Sequence, residues 1–233
     1  NAMVNKKIVF MHGHWCSSST IPASDVYNEA QIPMATVSTN PQVTERKLPN
    51  LFRIMGRDDQ QGMVAGGYLA DTFKGKKLAV VDDKSAYGKG LADEIAKAMQ
   101  AKGTKPALRE SITAGEKDYS GLVSKLKSAG VEVVAYGGYH TEVALILRQA
   151  QQAGLKLTVM GGDTMTNTEL VTAAGAAADN VLFTFSPDPR KNAAAADVVK
   201  KFRDAKVEPE GYVMYAYAAM QLFAQAAEQA KSV

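Results

Sequence analysis

The chain has 233 residues, 46% of them hydrophobic and 22% charged, a balance ordinary for a folded globular protein. Its formal net charge of +3 comes without a Lys/Arg block, which argues against a nucleic-acid partner. No apolar run approaches the ~20 residues of a membrane-spanning helix, no signal peptide is evident, and Asn1-Ala2 before Met3 reads as a tag remnant. The single cysteine, Cys16, has no internal disulfide partner and does not reveal a redox compartment.

Short apolar runs alternate with helical periodicity from end to end. Strands are expected at residues 8–11, 33–36, 51–54, 78–81, 107–110, 133–136, 157–160 and 181–185. Helices are expected between and after them, at 22–30, 61–72, 88–102, 119–129, 141–153, 167–173, 193–205 and 212–231. Leu91, Ile95, Ala98 and Met99 recur at helical spacing, as do Leu122, Val123 and Leu126; Gly103, Gly130 and Gly154 stand where helix C-caps belong. Strands alternating with helices imply an α/β fold with parallel sheets and right-handed crossovers.

The alternation softens twice, in the polar connection 38–50 and at Ser186-Pro187-Asp188-Pro189. The segment between, about 57 to 185, holds five of the strands and suffices for a complete layered domain. The flanks hold three strands and three helices. That is thin for a second lobe, because a small sheet buries little apolar area, so the sequence is expected to be a fragment of something longer.

In open parallel sheets, ligands bind outside the carboxyl ends of the strands. Those exits carry Ser17–Thr20, Ser38-Thr39, Ser85 with Tyr87, Tyr139-His140 and Asp163-Thr164. Cys16-Ser17-Ser18-Ser19-Thr20 precedes a helix expected to begin near Thr20, whose free N–H groups with these hydroxyls suit a carboxylate or phosphate; the plainer reading is one N-cap among loop residues. Hydroxyls suit an anion, a carboxylate suits an ammonium, and tyrosines supply an apolar wall with polar tips. An α-amino acid carries both charges and fits the set.

Other constellations carry less. His12, His14 and Cys16 alternate with period two and could ligate zinc from one face of a strand, but a fourth ligand is not evident and no metal or cofactor is expected. There is no Gly-x-Ser-x-Gly elbow, Walker loop or Gly-x-Gly-x-x-Gly after the first strand. Casting Ser17, a histidine and Asp163 as a hydrolytic triad lacks any positional argument. Trp15 is expected in the core and His140 at the surface; Met160, Met165, Met214 and Met220 are read as gap fillers. Glu116, Lys117 and Asp118 read as a solvated turn.

Several longer stretches are more specific. Gly-His-Trp-Cys-Ser-Ser-Ser-Thr (13–20), Pro-Ala-Ser-Asp (22–25), Asp-Lys-Ser-Ala-Tyr-Gly-Lys-Gly (83–90), Ile-Thr-Ala-Gly-Glu-Lys-Asp-Tyr-Ser (112–120), Tyr-Gly-Gly-Tyr-His (136–140) and Leu-Arg-Gln-Ala (147–150) follow in order. Together they resemble the periplasmic leucine/isoleucine/valine-binding proteins of ABC importers. The resemblance covers essentially the whole chain and implies a type I periplasmic-binding-protein fold, two α/β lobes joined by a hinge and closing over an amino acid without converting it. It places residues 3–56 plus 187–233 in a partial first lobe and 57–186 in the second.

Residue by residue, the resemblance implies that Ser17 binds the ligand's α-carboxylate and that Thr39 contacts both carboxylate and ammonium. Ser38 takes the small-residue place before Thr39, in a loop one residue shorter than the family pattern. Tyr87 and Tyr139 come from the other lobe and close over the ligand, and Asp163 stands where the family usually has a glutamate that pairs with the ammonium. Asp is one methylene shorter, which leaves room for a bridging water or a changed ligand. A sensing receptor domain of this fold for an amide or an aromatic acid is the second reading. The resemblance further implies a periplasmic location, a membrane permease as partner, and first-lobe segments beyond both ends of this chain, including the cysteine that would pair with Cys16. Cys16 is therefore expected to be a buried free thiol, and the incomplete lobe is expected to expose apolar surface through which copies could self-associate.

Overall fold

The computed structural model describes residues 2–232, and its contacts group them into two compact units, residues 2–56 with 186–232 and Arg57–Phe185. The first unit opens with α1 (Ala2–Asn5), β1 (Met11–His12), α2 (Ser17–Glu29), β2 (Met34–Thr36), α3 (Gln42–Glu45) and β3 (Leu51–Arg53). The second runs α4 (Asp58–Thr72), β4 (Leu78–Asp82), α5 (Ala86–Ala101), β5 (Leu108–Ser111), α6 (Ser120–Ser128), β6 (Val133–Gly137), α7 (His140–Gln152), β7 (Thr158–Gly161), α8 (Glu169–Ala174) and β8 (Val181–Phe183). The chain then returns to the first unit for α9 (Ala196–Asp204) and α10 (Val213–Ala230). Both sheets are wholly parallel.

In the second unit, residue alternation along the strands feeds two helix layers. Leu78, Val80, Val133, Ala135 and Met160 point into a core with Ala65, Leu69, Leu91, Ile95 and Met99 of α4 and α5. Their neighbours Ala79, Val81, Val134, Tyr136 and Val159 face the opposite core with Val123, Leu126, Val143 and Leu147 of α6 and α7. A strand buried on both faces reads as an unbroken apolar run, as Leu78-Ala79-Val80-Val81 does. The strand order β5-β4-β6-β7-β8 reverses between β4 and β6, since the chain leaves β4 for one edge and returns on the other side of it. That reversal is a topological switch point, where open sheets form a crevice at their carboxyl ends.

Helix ends follow the expected chemistry. After α6, Gly130 at φ +67° donates to Lys127 O while Val131 donates to Leu126 O, with the Val131 and Leu126 side chains buried together. This paired pattern closes the last turn and needs a left-handed residue, which glycine supplies without steric cost. Gly103 and Gly154 end α5 and α7 in the same way.

The first unit has a sheet of order β1-β2-β3 and a small core of Tyr27, Ile32, Met34, Val43 and Leu51. An apolar groove of about 730 Å³ lies between its other face and α10, lined by Val9, Phe10, Ala35, Phe52, Leu222 and Phe223 among others. Val9, Phe52 and Leu222 are each nearly half exposed.

Several expectations are corrected here. The first strand is Met11–His12 rather than 8–11, because Phe10 lies opposite Pro33, which has no N–H to extend the ladder; Phe10 instead stacks on Phe223 at 4.4 Å. Helix α2 starts at Ser17, not near Thr20 or Pro22, so Ser18, Ser19 and Thr20 are helical rather than loop, and Pro22 lies inside the helix. Because β1 ends at His12 and Cys16 is the α2 N-cap, His12, His14 and Cys16 do not share a strand face. Among the described residues no group of three or more His, Cys, Asp or Glu side chains could hold a metal ion. Cys16 is half-buried rather than buried. Trp15 is 38% exposed and meets Tyr212 edge-on at 5.3 Å, whereas His140 is buried with Nε2 3.2 Å from Glu169 Oε2. Met160, Met165 and Met214 are buried, but Met220 lies on the outer face of α10. The short helices α1 and α3 and the 3-10 turns Asp163–Thr166, Gly175–Asn180, Pro189–Lys191 and Ala193–Ala195 were not expected from periodicity, being too short to show any.

Candidate functional site

In the first unit the strand exits and the start of α2 form a knot of hydroxyls around one carbonyl. His14 O accepts from Thr36 Oγ1 at 2.6 Å, Ser38 Oγ at 3.0 Å and Thr20 Oγ1 at 3.1 Å. Thr20 and Ser38 hydroxyls also meet at 2.6 Å, and Ser38 Oγ lies 2.8 Å from Trp15 O. Thr20, Thr36 and Ser38 are all essentially buried, so these bonds satisfy groups that water cannot reach. The Ser38 hydroxyl is thus engaged by the protein, which leaves its backbone as what it can offer a ligand.

Ser17 and Thr39 are placed differently. Ser17 is the first residue of α2, whose N-cap Cys16 gives no side-chain cap, so the helix N-terminus is left without the usual cap oxygen. Ser17 Oγ accepts from Asn40 N–H at 3.3 Å, which brings the Thr39–Asn40 peptide against the helix start. Asn40 O accepts from Arg53 Nη1 at 3.0 Å and Asn40 Oδ1 from Gln42 N–H at 2.9 Å, fixing the loop on the far side of Thr39. Thr39 is 2% exposed, yet its hydroxyl makes no hydrogen bond among the described residues. A helix start with positive dipole and no side-chain cap from Cys16, one serine, and one hydroxyl without a hydrogen bond among the described residues have the chemistry that suits an anion.

In the second unit Tyr87 follows β4 and Tyr139 follows β6, so the two rings flank the switch point, their centroids 5.4 Å apart. Ser85 caps α5 by accepting from Gly88 N–H at 2.8 Å, which sets the first turn that carries Tyr87. Tyr139 is the N-cap of α7. Asp163, at the exit of β7, is 2% exposed and opens the 3-10 turn Asp163–Thr166. Its Oδ1 accepts from Tyr87 Oη at 2.9 Å and Gln61 Nε2 at 2.8 Å. Thr164 Oγ1 donates to Gly138 O at 2.7 Å, tying the turn to the exit of β6. A methyl group on Gly162 would stand 2.5 Å from both Tyr87 Oη and Leu91 Cδ2, so glycine is what lets the phenol reach Asp163.

Tyr87, Tyr139 and Asp163 are thus brought together, as are Ser17, Ser38 and Thr39 within their own unit. Sequence reading missed Gln61 and Thr184, which bond around Asp163. It also missed Thr36, whose strand position gave no signal. Beneath β4 and β6 lie further buried polar groups. Burial raises the Asp83 carboxyl above the usual range, with Glu142 and Asp82 adding to the shift and hydrogen bonds from Ser85 opposing it. Burial likewise pushes the Tyr136 hydroxyl well up, and that oxygen has no hydrogen-bond partner among the described residues.

Comparisons with known proteins agree with this architecture. The chain is 53% identical over 226 residues to Leu/Ile/Val-binding protein homolog 1 of Brucella melitensis, covering 97% of this chain and 61% of that protein. It is 48% identical over 233 residues to Leu/Ile/Val-binding protein homolog 2 of Brucella abortus, covering 63% of that relative. The chain therefore spans about 61–63% of the length of these curated relatives. Among solved structures, a leucine-binding protein, LivK, from Thermotoga maritima matches with TM-score 0.90 and 26% identity over 99% of this chain and 67% of its own. The branched-chain amino acid transporter substrate-binding protein LivJ from Streptococcus pneumoniae, in complex with isoleucine, matches with TM-score 0.84 and 26% identity over 97% of this chain and 66% of its own. These structures identify the α/β architecture as that of type I periplasmic binding proteins. The family model described as periplasmic binding protein matches residues 1–233, and the chain belongs to that family.

Proposed function

We propose that the protein is an extracytoplasmic, periplasmic solute-binding protein that captures an α-amino acid with an apolar, branched side chain and delivers it unchanged to the permease of an ABC importer. In this reading residues 3–56 with 187–233 belong to one lobe and 57–186 to the other. Ser17 and Thr39 hold the carboxylate, with the backbone beside Ser38 completing that end. Asp163 takes the ammonium, directly or through a water, and Tyr87 and Tyr139 cover the ligand. The observation that carries the reading is Thr39, a residue 2% exposed whose hydroxyl makes no hydrogen bond among the described residues, beside a helix start that its N-cap Cys16 gives no side-chain cap. The names of the Brucella relatives and the isoleucine-bound LivJ support the ligand class.

Calorimetric titration with the twenty amino acids and simple aromatic acids tests the assignment. Leucine, isoleucine or valine is expected to bind, and Asp163→Ala to abolish that binding. Binding of no amino acid, or unchanged binding in Asp163→Ala, would refute it; binding of an aromatic acid alone would favour a sensor of that ligand. Recovery of the ligand unaltered after incubation is expected, and any turnover would point to an enzyme instead. The apolar groove of the first unit is proposed to take a second copy of the chain, and a monomer across the micromolar range by light scattering would rule that out.

A further inference from the structure

Gln61, on the second turn of α4, is 8% exposed and uses its whole hydrogen-bonding capacity. Its partners decide which way the amide faces. Asp163 N–H can only donate, so the atom 3.0 Å from it is Oε1, and Thr184 Oγ1 donates to the same oxygen at 2.9 Å. Nε2 must then face Asp58 Oδ1 at 3.0 Å and Asp163 Oδ1 at 2.8 Å. One amide therefore grips Asp163 by both backbone and carboxylate, ties it to the exit of β8 through Thr184, and places a shared donor between two buried carboxylates. Tyr87 Oη approaches the same Oδ1 from α5, so the carboxylate is held from two directions.

We propose that Gln61 is the positioning residue of the ammonium site: it fixes the rotamer of Asp163 and keeps the Asp58 and Asp163 carboxylates apart by a donor common to both. This rests on the reading of Asp163 as the ammonium partner. A shorter carboxylate reaches less far than glutamate, so its direction matters more, and a site held rigidly before binding loses less on capture. Titratable groups facing the amide include Asp58 on α4 and Asp163 on the 3-10 turn, with Tyr87 on α5 bonded to the same Asp163 oxygen.

Gln61→Glu is the informative variant because it keeps the shape and exchanges the donor for an oxygen. Facing Asp58 and Asp163 in a buried place, the introduced carboxyl would hold its proton above the ordinary glutamate range of about 4.3. Protonated, it donates to one of the two carboxylates where the amide donates to both; ionised, it repels both neighbours. Stability and affinity in Gln61→Glu are therefore nearest to wild type on the acid side and fall as pH rises through the folded value. Leucine titrations at pH 5 and pH 8 should find Gln61→Glu at least about tenfold weaker at pH 8 than at pH 5, a loss of roughly 1.4 kcal/mol. Wild type should change less than threefold.

Ligand-free melting of Gln61→Glu should fall over the same range. Adding Asp163→Asn to it should restore the melting temperature at pH 8, because the new asparagine amide then donates to the introduced carboxylate. If Gln61→Glu tracks wild type in affinity and melting, or the second substitution restores nothing, the inference is overturned. The Asp163→Asn single variant separates the two ideas. Should it bind leucine like wild type, the ammonium reading fails; should it lose binding while Gln61→Glu tracks wild type, only the role of Gln61 fails. If wild type binds no amino acid, the ligand-free melting rescue alone decides whether Gln61 positions Asp163.

Discussion

Thr39→Val separates binding from folding beside the start of α2. The Thr39 hydroxyl has no partner among the described residues, so valine, of nearly the same shape, removes no hydrogen bond from the folded chain. Stability should move by no more than about 0.5 kcal/mol, as for a change that breaks no contact. A hydroxyl donating to a carboxylate contributes about 1.5–3 kcal/mol, so the leucine dissociation constant should rise about 10- to 150-fold. Thr20→Val, in the neighbouring knot, should behave in the opposite way. Its hydroxyl bonds His14 O and Ser38 Oγ, and losing it should cost about 1–3 kcal/mol of folding free energy. Calorimetric titration reads the first quantity and chemical denaturation the second. An unchanged dissociation constant in Thr39→Val, or a stability loss above about 1 kcal/mol, would show that the hydroxyl serves the fold and not a ligand.

The second unit offers three further tests. Asp83 has a raised carboxyl pKa, so its protonated form favours the folded state below the unfolded value of about 3.9, and that contribution is lost as pH rises through the folded value. Asp83→Asn keeps the acceptor for Ser85 N–H, and melting curves should show it gaining on wild type as pH increases; a gap that shrinks with pH would contradict the sign. Gly162→Ala should cost about 1–3 kcal/mol and weaken leucine binding by pushing Tyr87 off Asp163, and wild-type affinity in that variant would mean the phenol contact is dispensable. Tyr136→Phe deletes a buried hydroxyl without a partner among the described residues, so denaturation should find it stabilised by about 1 kcal/mol; destabilisation would show that an ordered water completes the site.

The fold class and most elements were legible because they rest on local rules. Runs such as Leu78-Ala79-Val80-Val81 announce a strand buried on both faces, and Gly103, Gly130 and Gly154 mark helix ends through a backbone conformation that glycine adopts cheaply. Errors came where a distant partner decided a local question. Ile8-Val9-Phe10 has strand composition but meets Pro33, and Pro22 suggested a helix start although the first turn is anchored upstream by Thr20 on the carbonyl of His14. Strand order was not readable from the chain, and with it the switch point that places Tyr87 beside Tyr139 was hidden. Gln61 sits among ordinary helix-start residues, and its role depends on an acceptor and donor 102 positions away.

The two clusters meet one requirement by different means. A polar group recognises charge well only if it is held in place before the ligand arrives, since ordering it on capture subtracts from affinity. In the first unit the hydroxyls of Thr20, Thr36 and Ser38 are spent on the His14 carbonyl, which ties the loop beside Thr39 to the start of α2. In the second unit the Asp163 carboxylate is itself bonded, by Tyr87 and Gln61, so its direction is fixed at the exit of β7. A run of four hydroxyl residues therefore divides by position rather than by type. Thr20 of that run faces the hydroxyl knot, while Ser17, with which helix α2 begins, bonds the Asn40 N–H instead.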